Sequence, residues 1–204
     1  MTTAPQLGEP IDGRTARRVR TRAALVEACL ALIDEGDLRP PAPRIAERAG
    51  VSVRSVFSHF EDLESLFSAV GDQVTARLTA IVRPIDLAGS CDERLTAFVE
   101  QRAEQLELVT PVLRASFVHA STSAVITRQF AEGQALFRRH LSEAFAPELQ
   151  CAADPDRLQD ALMMAASWPS WNMLRDARGR TVDEARRSMR WALAAALATG
   201  EDRR

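Results

Sequence analysis

Apolar residues recur every three to four positions along most of this 204-residue chain, and strand-like alternation is absent from the sequence. That periodicity predicts an all-α protein. A first helix is predicted from about Thr15 to Glu35, with Gly36 placed to end it. Another helix is predicted from Asp62 to about Val82. Two short helices are expected between them.

Residues 44–60, RIAERAGVSVRSVFSHF, predict these two short helices around a glycine turn. Gly50 tolerates the positive φ that a tight turn demands, and Ser52 stands where an N-cap is needed. Five apolar side chains are expected to point inward: Ile45, Ala49, Val51, Val56 and Phe60. Four hydrogen-bonding side chains are expected to point outward: Arg54, Ser55, Ser58 and His59. Such a helix fits the major groove of DNA, whereas an ordinary helical hairpin in a core would not need this polar outer face.

Capping residues divide the second half of the chain into five predicted helices. Ser90 and Thr181 each stand three residues before a glutamate, while Thr110 and Asp154 each precede a proline. The predicted helices begin at residues 90, 110, 123, 155 and 181, and four of them are expected to end near residues 108, 145, 177 and 199.

The last two predicted helices are apolar on more than one face, so each needs more than one partner. Small residues in the final helix permit close helix approach. We therefore expect a four-helix bundle between two copies of the chain, which predicts a homodimer. Four residues are assigned to this interface: Leu162, Trp171, Met189 and Leu193.

Charge is distributed unevenly, although the net charge is only −2. Residues 13–58 hold nine arginines against five acidic residues, whereas the chain from His59 onward holds 17 arginines against 21 acidic residues. A basic N-terminal segment on an acidic remainder indicates one nucleic-acid face. The three cysteines are widely spaced, which indicates reduced thiols in a cytoplasm and no metal site. No apolar run has a transmembrane length, so no membrane association is expected.

Sequence motifs of catalysis are missing. The chain has no G-x-G, HExxH, G-x-S-x-G or P-loop pattern. We therefore expect neither an enzyme nor a bound cofactor.

The stretch from Arg22 to Leu66 resembles the tetracycline-repressor (TetR) family of bacterial transcription regulators. The resemblance is carried by IAERAGVS at residues 45–52, by VFSHF at residues 56–60, and by Glu64 and Leu66. It implies a three-helix helix-turn-helix DNA-binding domain at residues 14–61 and a helical ligand-binding and dimerisation domain at residues 62–200. It also implies a cytoplasmic, nucleoid-associated protein. Residues 1–13 are polar and contain proline and glycine, which predicts a disordered tail. The chain departs from the family pattern at Phe57 and Leu63, where the family usually has tyrosine and lysine.

The DNA contacts are predicted residue by residue. Arg54, Ser55 and His59 are expected to read bases, and Val53 to meet a thymine methyl group. Four further residues are expected to contact phosphates: Arg18, Arg22, Arg44 and Ser52. The first hypothesis is a homodimeric repressor that a small molecule releases from a palindromic double-stranded operator. The alternatives are a transcriptional activator of the same fold and a ligand-independent architectural protein.

Arg102 interrupts an apolar stripe. In the helix that Ser90 opens, the spacing of Leu95, Phe98 and Val99 continues to position 102, so a charge falls on the core-facing side. One interpretation is structural: Arg102 forms an internal ion pair, or its aliphatic stem packs in the core while its charged end reaches solvent. In the other interpretation, Arg102 and Gln105 are polar anchors in an otherwise apolar ligand pocket. In the second interpretation four aromatic residues line the pocket: Phe98, Phe117, Phe130 and Trp168. An arginine there favours a ligand with a carboxylate.

Overall fold

The computed structural model describes residues 13–119 and 123–201, and within them it contains helices and no strand. The predicted all-α fold class is therefore confirmed. The predicted disordered tail lies outside the described residues, except for Gly13, which begins the first helix. The chain divides into two compact units between Val70 and Gly71, later in the chain than the boundary predicted after residue 61.

The first unit is a small helical domain built around one apolar core. Its helices are α1 (Gly13–Asp34), α2 (Ala42–Arg48), α3 (Val53–His59) and the start of α4 (Leu63–Ile81). Gly36 ends α1 with φ of 95°, a conformation that side chains with a Cβ rarely adopt. Its N–H donates to the Ile33 carbonyl at 2.9 Å, and the Asp37 N–H donates to the Leu32 carbonyl at 3.0 Å. These two bonds satisfy carbonyls that the helix end would otherwise leave free.

The turn between α2 and α3 has the same construction. Gly50 has φ of 67°, and the Val51 N–H donates to the Ala46 carbonyl at 2.9 Å. Ser52 then caps α3, because its Oγ accepts from the Ser55 N–H at 3.2 Å. Both the glycine turn and the N-cap were predicted from the sequence and are confirmed.

The apolar side of this turn is packed as predicted for its largest members. Ile45 and Val56 are fully buried, and Phe60 is 4 % exposed. Ala49 and Val51 are half-buried. Since these residues hold α2 against α3, the opposite side of α3 remains at the surface.

The second unit is a larger helical bundle. After α4 it contains α5 (Cys91–His119), α6 (Ala124–Ala144), α7 (Ala146–Cys151), α8 (Pro155–Ala165), α9 (Trp168–Asn172), a π-helical turn (Met173–Ala177) and α10 (Val182–Glu201). Both predicted capping boxes are present. Ser90 and Glu93 exchange hydrogen bonds at the start of α5, as do Thr181 and Glu184 before α10.

The predicted break between residues 108 and 110 is wrong. Helix α5 runs through Pro111 without interruption. The Thr110 hydroxyl, expected as a cap, instead donates to the Leu106 carbonyl at 2.6 Å inside the helix. Buried residues lie on both sides of the proline, including Val109 and Ala115, and their packing outweighs the hydrogen bond that the proline cannot make.

The predicted helix at 155–177 is also wrong, because the structure divides it into α8, α9 and the π-helical turn. Ser167 starts a new helix, since its Oγ accepts from the Ser170 N–H at 3.3 Å. Pro169 lies in the first turn of α9, where a missing N–H costs little. Helix α7, which also has a proline in its first turn, was not predicted.

Candidate nucleic-acid interface and internal cavity

The outer face of α3 is not covered by other helices in the described part of the first unit, residues 13–70. Arg54 is exposed and makes no hydrogen bond or ion pair with any residue that the structure describes. Val53 and Phe57, on one side of the helix, are 39 % and 50 % exposed. Ser58 is exposed, and its hydroxyl donates to the Ser55 carbonyl at 2.8 Å. This face therefore combines a free guanidinium with apolar side chains, which is the chemistry that base edges and thymine methyl groups accept.

A concave basic surface, about 350 Å³ in volume, lies between the start of α1 and α3. Eight residues line it: Arg14, Arg17, Arg18, Thr21, Val51, Ser55, Ser58 and His59. Arg18, Ser55 and His59 belong to the predicted DNA contacts, and the fold brings them together here. Arg14 and Arg17 were not among those predicted contacts. Their spacing with Arg18 and Thr21, three and four residues apart along one helix, is the signal that places them on one face.

His59 contributes to this surface through one ring nitrogen. Its Nδ1 is buried and has no hydrogen-bond partner among the described residues. The residue as a whole is half-buried at the end of α3. Of the two ring nitrogens, Nε2 is therefore the one that can donate a hydrogen bond to an external acceptor.

The remaining predicted DNA contacts have intramolecular roles. The Arg22 guanidinium lies over the Phe60 ring, 4.7 Å from its centroid, and is outside the residues that line the concave surface. Arg44 forms an ion pair with Asp37. The Ser52 Oγ caps α3, although its hydroxyl proton remains available to a phosphate. The phosphate role predicted for Arg44 would have to compete with Asp37.

The second unit contains a partly open cavity of about 140 Å³ bounded by α4, α5, α6 and Trp168. Its wall is mostly apolar, formed by residues that include Val74, Leu106, Val109, Leu113, Ile126, Phe130, Phe137 and Trp168. An apolar cavity with a few polar groups is the usual form of a small-molecule site.

Arg102 lies in the wall of this cavity. Its Nε donates to the Ala166 carbonyl at 3.0 Å, and its Nη1 donates to Gln105 Oε1 at 3.4 Å. Its guanidinium carbon is 3.6 Å from the centroid of the Phe137 ring, which is a close cation–π contact. Burial lowers the pKa of Arg102 to about 9, so the side chain remains a cation at neutral pH.

The six predicted ligand contacts are only partly brought together. Arg102, Phe130 and Trp168 line the cavity. Gln105 is buried behind Arg102, and Phe98 packs edge-on against Phe145 with the ring centroids 5.2 Å apart.

Phe117 also lies outside the cavity wall. It is 51 % exposed and stacks on the outer side of Trp168, with the ring centroids 5.0 Å apart. Ser116 and Gln134 line the cavity but were not predicted. Gln134 lies four residues after Phe130 on α6, and that spacing could have identified it.

The four residues assigned to the dimer interface are buried inside a single chain. Leu162 and Leu193 are fully buried, Trp171 is 1 % exposed and Met189 is 2 % exposed. The Trp171 indole N–H donates to Glu107 Oε1 at 2.8 Å. None of the four side chains therefore offers a surface to a second copy. Among the large apolar side chains described in α10, Trp191 is at the surface, where it is 75 % exposed.

The described part of the chain contains neither a metal-ligating cluster nor a membrane-spanning helix. No group of three histidine, cysteine, aspartate or glutamate side chains is arranged there to hold a metal ion. No helix formed by residues 13–119 and 123–201 is both long and apolar enough to cross a membrane.

Comparison with known proteins identifies the fold. No protein-family model matches the chain, and no curated protein matches its sequence. A transcriptional regulator from Rhodococcus sp. Rha1 is similar in structure, with a TM-score of 0.68 and 17 % identity over 92 % of this chain and 99 % of that one. A TetR transcription regulator from Haloarcula marismortui ATCC 43049 has a TM-score of 0.68 and 13 % identity over 89 % of this chain and 98 % of its own. The chain thus has the fold of TetR-family transcription regulators.

Proposed function

We propose that this chain is a homodimeric transcription regulator, a repressor that a small-molecule ligand releases from a palindromic DNA operator. It would act on the nucleoid in the bacterial cytoplasm. The observation that carries the proposal is the free outer face of α3. There an unpaired Arg54 and exposed Val53 stand on the second helix of a helix-turn-helix.

The concave basic surface supports a phosphate contact beside that face. Arg17 and Arg18 make no hydrogen bond or ion pair through their side chains with the described residues, so their charges are available to a polyanion. Phosphate contacts would fix the register of the helix, and Arg54 with its neighbours would read the bases. A dimer would present two such helices about 34–36 Å apart, one turn of DNA.

The cavity of the second unit supports ligand control. An effector bound there would shift the population between two conformations only if it binds one of them more tightly than the other. The conformation without effector would have the helix spacing that matches the operator, and the effector-bound conformation would not.

The test is DNA binding by the full chain, measured by fluorescence anisotropy on the region upstream of its own gene. We expect specific binding that unlabelled copies of this region compete away and an unrelated duplex of equal length does not. Affinity should fall steeply with salt, because each phosphate contact contributes about one unit to the slope of log K against log salt. Equal affinity for both duplexes would contradict operator recognition. No binding at low salt would contradict DNA binding altogether.

A further inference from the structure

Arg102 is the only charged residue among the described residues that line the cavity. The other polar lining residues are neutral, and most of the wall is aliphatic or aromatic. A single cation in such a wall sets the electrostatic character of the whole cavity.

The Arg102 guanidinium has no counter-ion among residues 13–119 and 123–201. Both of its acceptors, the Ala166 carbonyl and the Gln105 amide oxygen, are neutral, and the bond to Gln105 is long at 3.4 Å. No described residue accepts from Nη2 or forms an ion pair with the group. The absence of a neighbouring carboxylate also explains why burial alone lowers the pKa of Arg102, with no opposing charge to raise it. Arg102 is half-buried, and an unpaired charge that is partly withdrawn from water is unfavourable. The Phe137 ring offsets this only in part.

We infer that the cavity binds a small organic monoanion, a carboxylate with an apolar body, whose oxygens accept hydrogen bonds from Arg102. The inference rests on the proposed function only in taking this cavity as the effector site of the regulator. The planar guanidinium matches a carboxylate, and the apolar wall would cover the remainder of the ligand.

Size and donor count narrow the class of anion. The cavity volume of about 140 Å³ is close to that of engineered cavities that take up one benzene ring. A phosphate ester would bring up to two negative charges. The cavity offers one cation, Arg102, and its other donors are all neutral, from Thr75, Ser116, Gln129 and Gln134, so a second negative charge would lack a cationic partner. A monocarboxylate whose body is one ring or a short alkyl chain fits the cavity volume and carries a single negative charge for the single arginine.

The experiment compares each carboxylate with its neutral amide. Benzoate and benzamide, then hexanoate and hexanamide, are titrated into the full-length protein by calorimetry without DNA. At least one carboxylate should bind the natural sequence about ten-fold or more tightly than its amide, since a charge-assisted bidentate pair is lost with the amide. If neither acid is preferred over its amide, the inference is overturned.

Substitutions then assign the preference to Arg102. Arg102→Met keeps most of the volume and should abolish the preference for the acid while leaving amide binding unchanged. Arg139→Met, at an exposed arginine of α6 outside the cavity, is the matched control and should bind as the natural sequence does. A preference that survives Arg102→Met would overturn the inference. If that variant does not fold, Arg102→Lys replaces it, and an undiminished carboxylate affinity in Arg102→Lys would count against the inference equally.

Operator binding is measured separately, so the two proposals can fail independently. A protein that distinguishes acid from amide through Arg102 but binds no operator would refute the proposed function and leave the inference standing. A protein that binds its operator but shows no preference for the acid would refute the inference about the cavity and leave the proposed function standing.

Discussion

At the scale of single residues, the arginines divide by what their side chains contact. Arg44 and Arg48 pair with carboxylates of their own unit, and Arg102 lies on an aromatic ring in a cavity. Arg54 has no such contact among the described residues. A free guanidinium on an exposed helix keeps its full hydrogen-bonding capacity for an external partner. The structure thus distinguishes arginines that the sequence presents as equivalent.

Replacing Arg54 with alanine should weaken operator binding by roughly 1–3 kcal/mol and relax the preference at one base pair, if the side chain contacts guanine. Footprinting titrations on operators with single base changes measure both effects. Arg139→Ala, at an exposed arginine of α6, is the control and should change neither. Unchanged affinity and unchanged base preference in Arg54→Ala would remove this residue from the interface.

The cysteines should differ sharply in reactivity. Cys29 is fully buried in α1, and burial raises the pKa of its thiol to about 12, with Asp37 adding to the shift. Cys151 is exposed at the end of α7. Since the thiolate is the reactive form, an alkylating reagent at pH 8 should label Cys151 in the native protein and Cys29 only after denaturation. Mass spectrometry of peptides locates the label, and rapid native labelling of Cys29 would contradict the buried placement.

At the scale of helices, features that depend on neighbouring residues could be predicted from the sequence, whereas features that depend on tertiary packing could not. Caps at Ser52, Ser90 and Thr181 depend on residues three positions away, so a short window of sequence contains all the information. Whether α5 continues through Pro111 depends instead on packing along its whole length. A proline within a helical sequence pattern can either begin a new helix or lie inside a continuous one, and tertiary contacts decide which of the two occurs.

Replacing glycine with alanine should change the free energy of unfolding in opposite directions at Gly50 and Gly133. A Cβ at Gly50 or at Gly133 would meet nothing within 4 Å, so neither change creates a clash. Gly50 has φ of 67°, and Gly50→Ala should therefore destabilise the protein by about 1–2 kcal/mol. Gly133 lies inside α6, where alanine should stabilise by about 0.5–1 kcal/mol. Urea unfolding measures the change in the free energy of unfolding for each variant. If both variants are stabilised, or both are destabilised, the assigned backbone conformations are contradicted.

Glu107 should make the contact between α5 and the segment around α9 depend on pH. Partial burial tends to raise the pKa of Glu107, but hydrogen bonds from Arg175 and Trp171 outweigh it, and the folded-state pKa lies below the ordinary 4.5. The carboxylate therefore stabilises the fold above pH 4.5, and this contribution is lost as the pH falls through the folded-state pKa.

Glu107→Gln should consequently lower the melting temperature at pH 7 and show a smaller further loss between pH 5 and pH 3. Thermal unfolding by circular dichroism across that range is the measurement. Glu100→Gln is the control, because Glu100 is an exposed residue of the same helix. Parallel pH profiles for Glu107→Gln and the natural sequence would contradict the role of this carboxylate.

At the scale of the whole molecule, the sequence predicted which side of α3 is exposed, but it did not predict which side chains of α10 remain at the surface. On α3 the polar and apolar sides differ, and composition alone separates them. Helices α8 and α10 each have an apolar side as well, and charged residues such as Asp160 and Arg187 are exposed on the other side. Periodicity identifies which side chains become buried, but it does not show whether their partner is the same chain or a second copy. Leu193 and Met189 proved to be packed inside one chain.

The dimer interface can be tested on α10 itself, where a buried and an exposed apolar residue are two positions apart. Leu193 is fully buried and Trp191 is 75 % exposed. Leu193→Glu would place an unpaired charge in the core of one chain, so we expect a loss of several kcal/mol, about 4 or more, and general unfolding. Trp191→Glu would leave that core intact. If Trp191 packs against a second copy of the chain, this variant should be a folded monomer whose melting temperature no longer depends on protein concentration.

Sedimentation velocity and circular dichroism on both variants separate these outcomes. Trp191→Phe keeps the apolar surface and should remain dimeric. Because a monomer presents one recognition helix instead of two, Trp191→Glu should also lose most of its operator affinity while its α3 is unaltered. A dimer that persists in Trp191→Glu would place the interface on another surface. A monomeric natural sequence at micromolar concentration would instead contradict the two-fold recognition on which a palindromic operator depends.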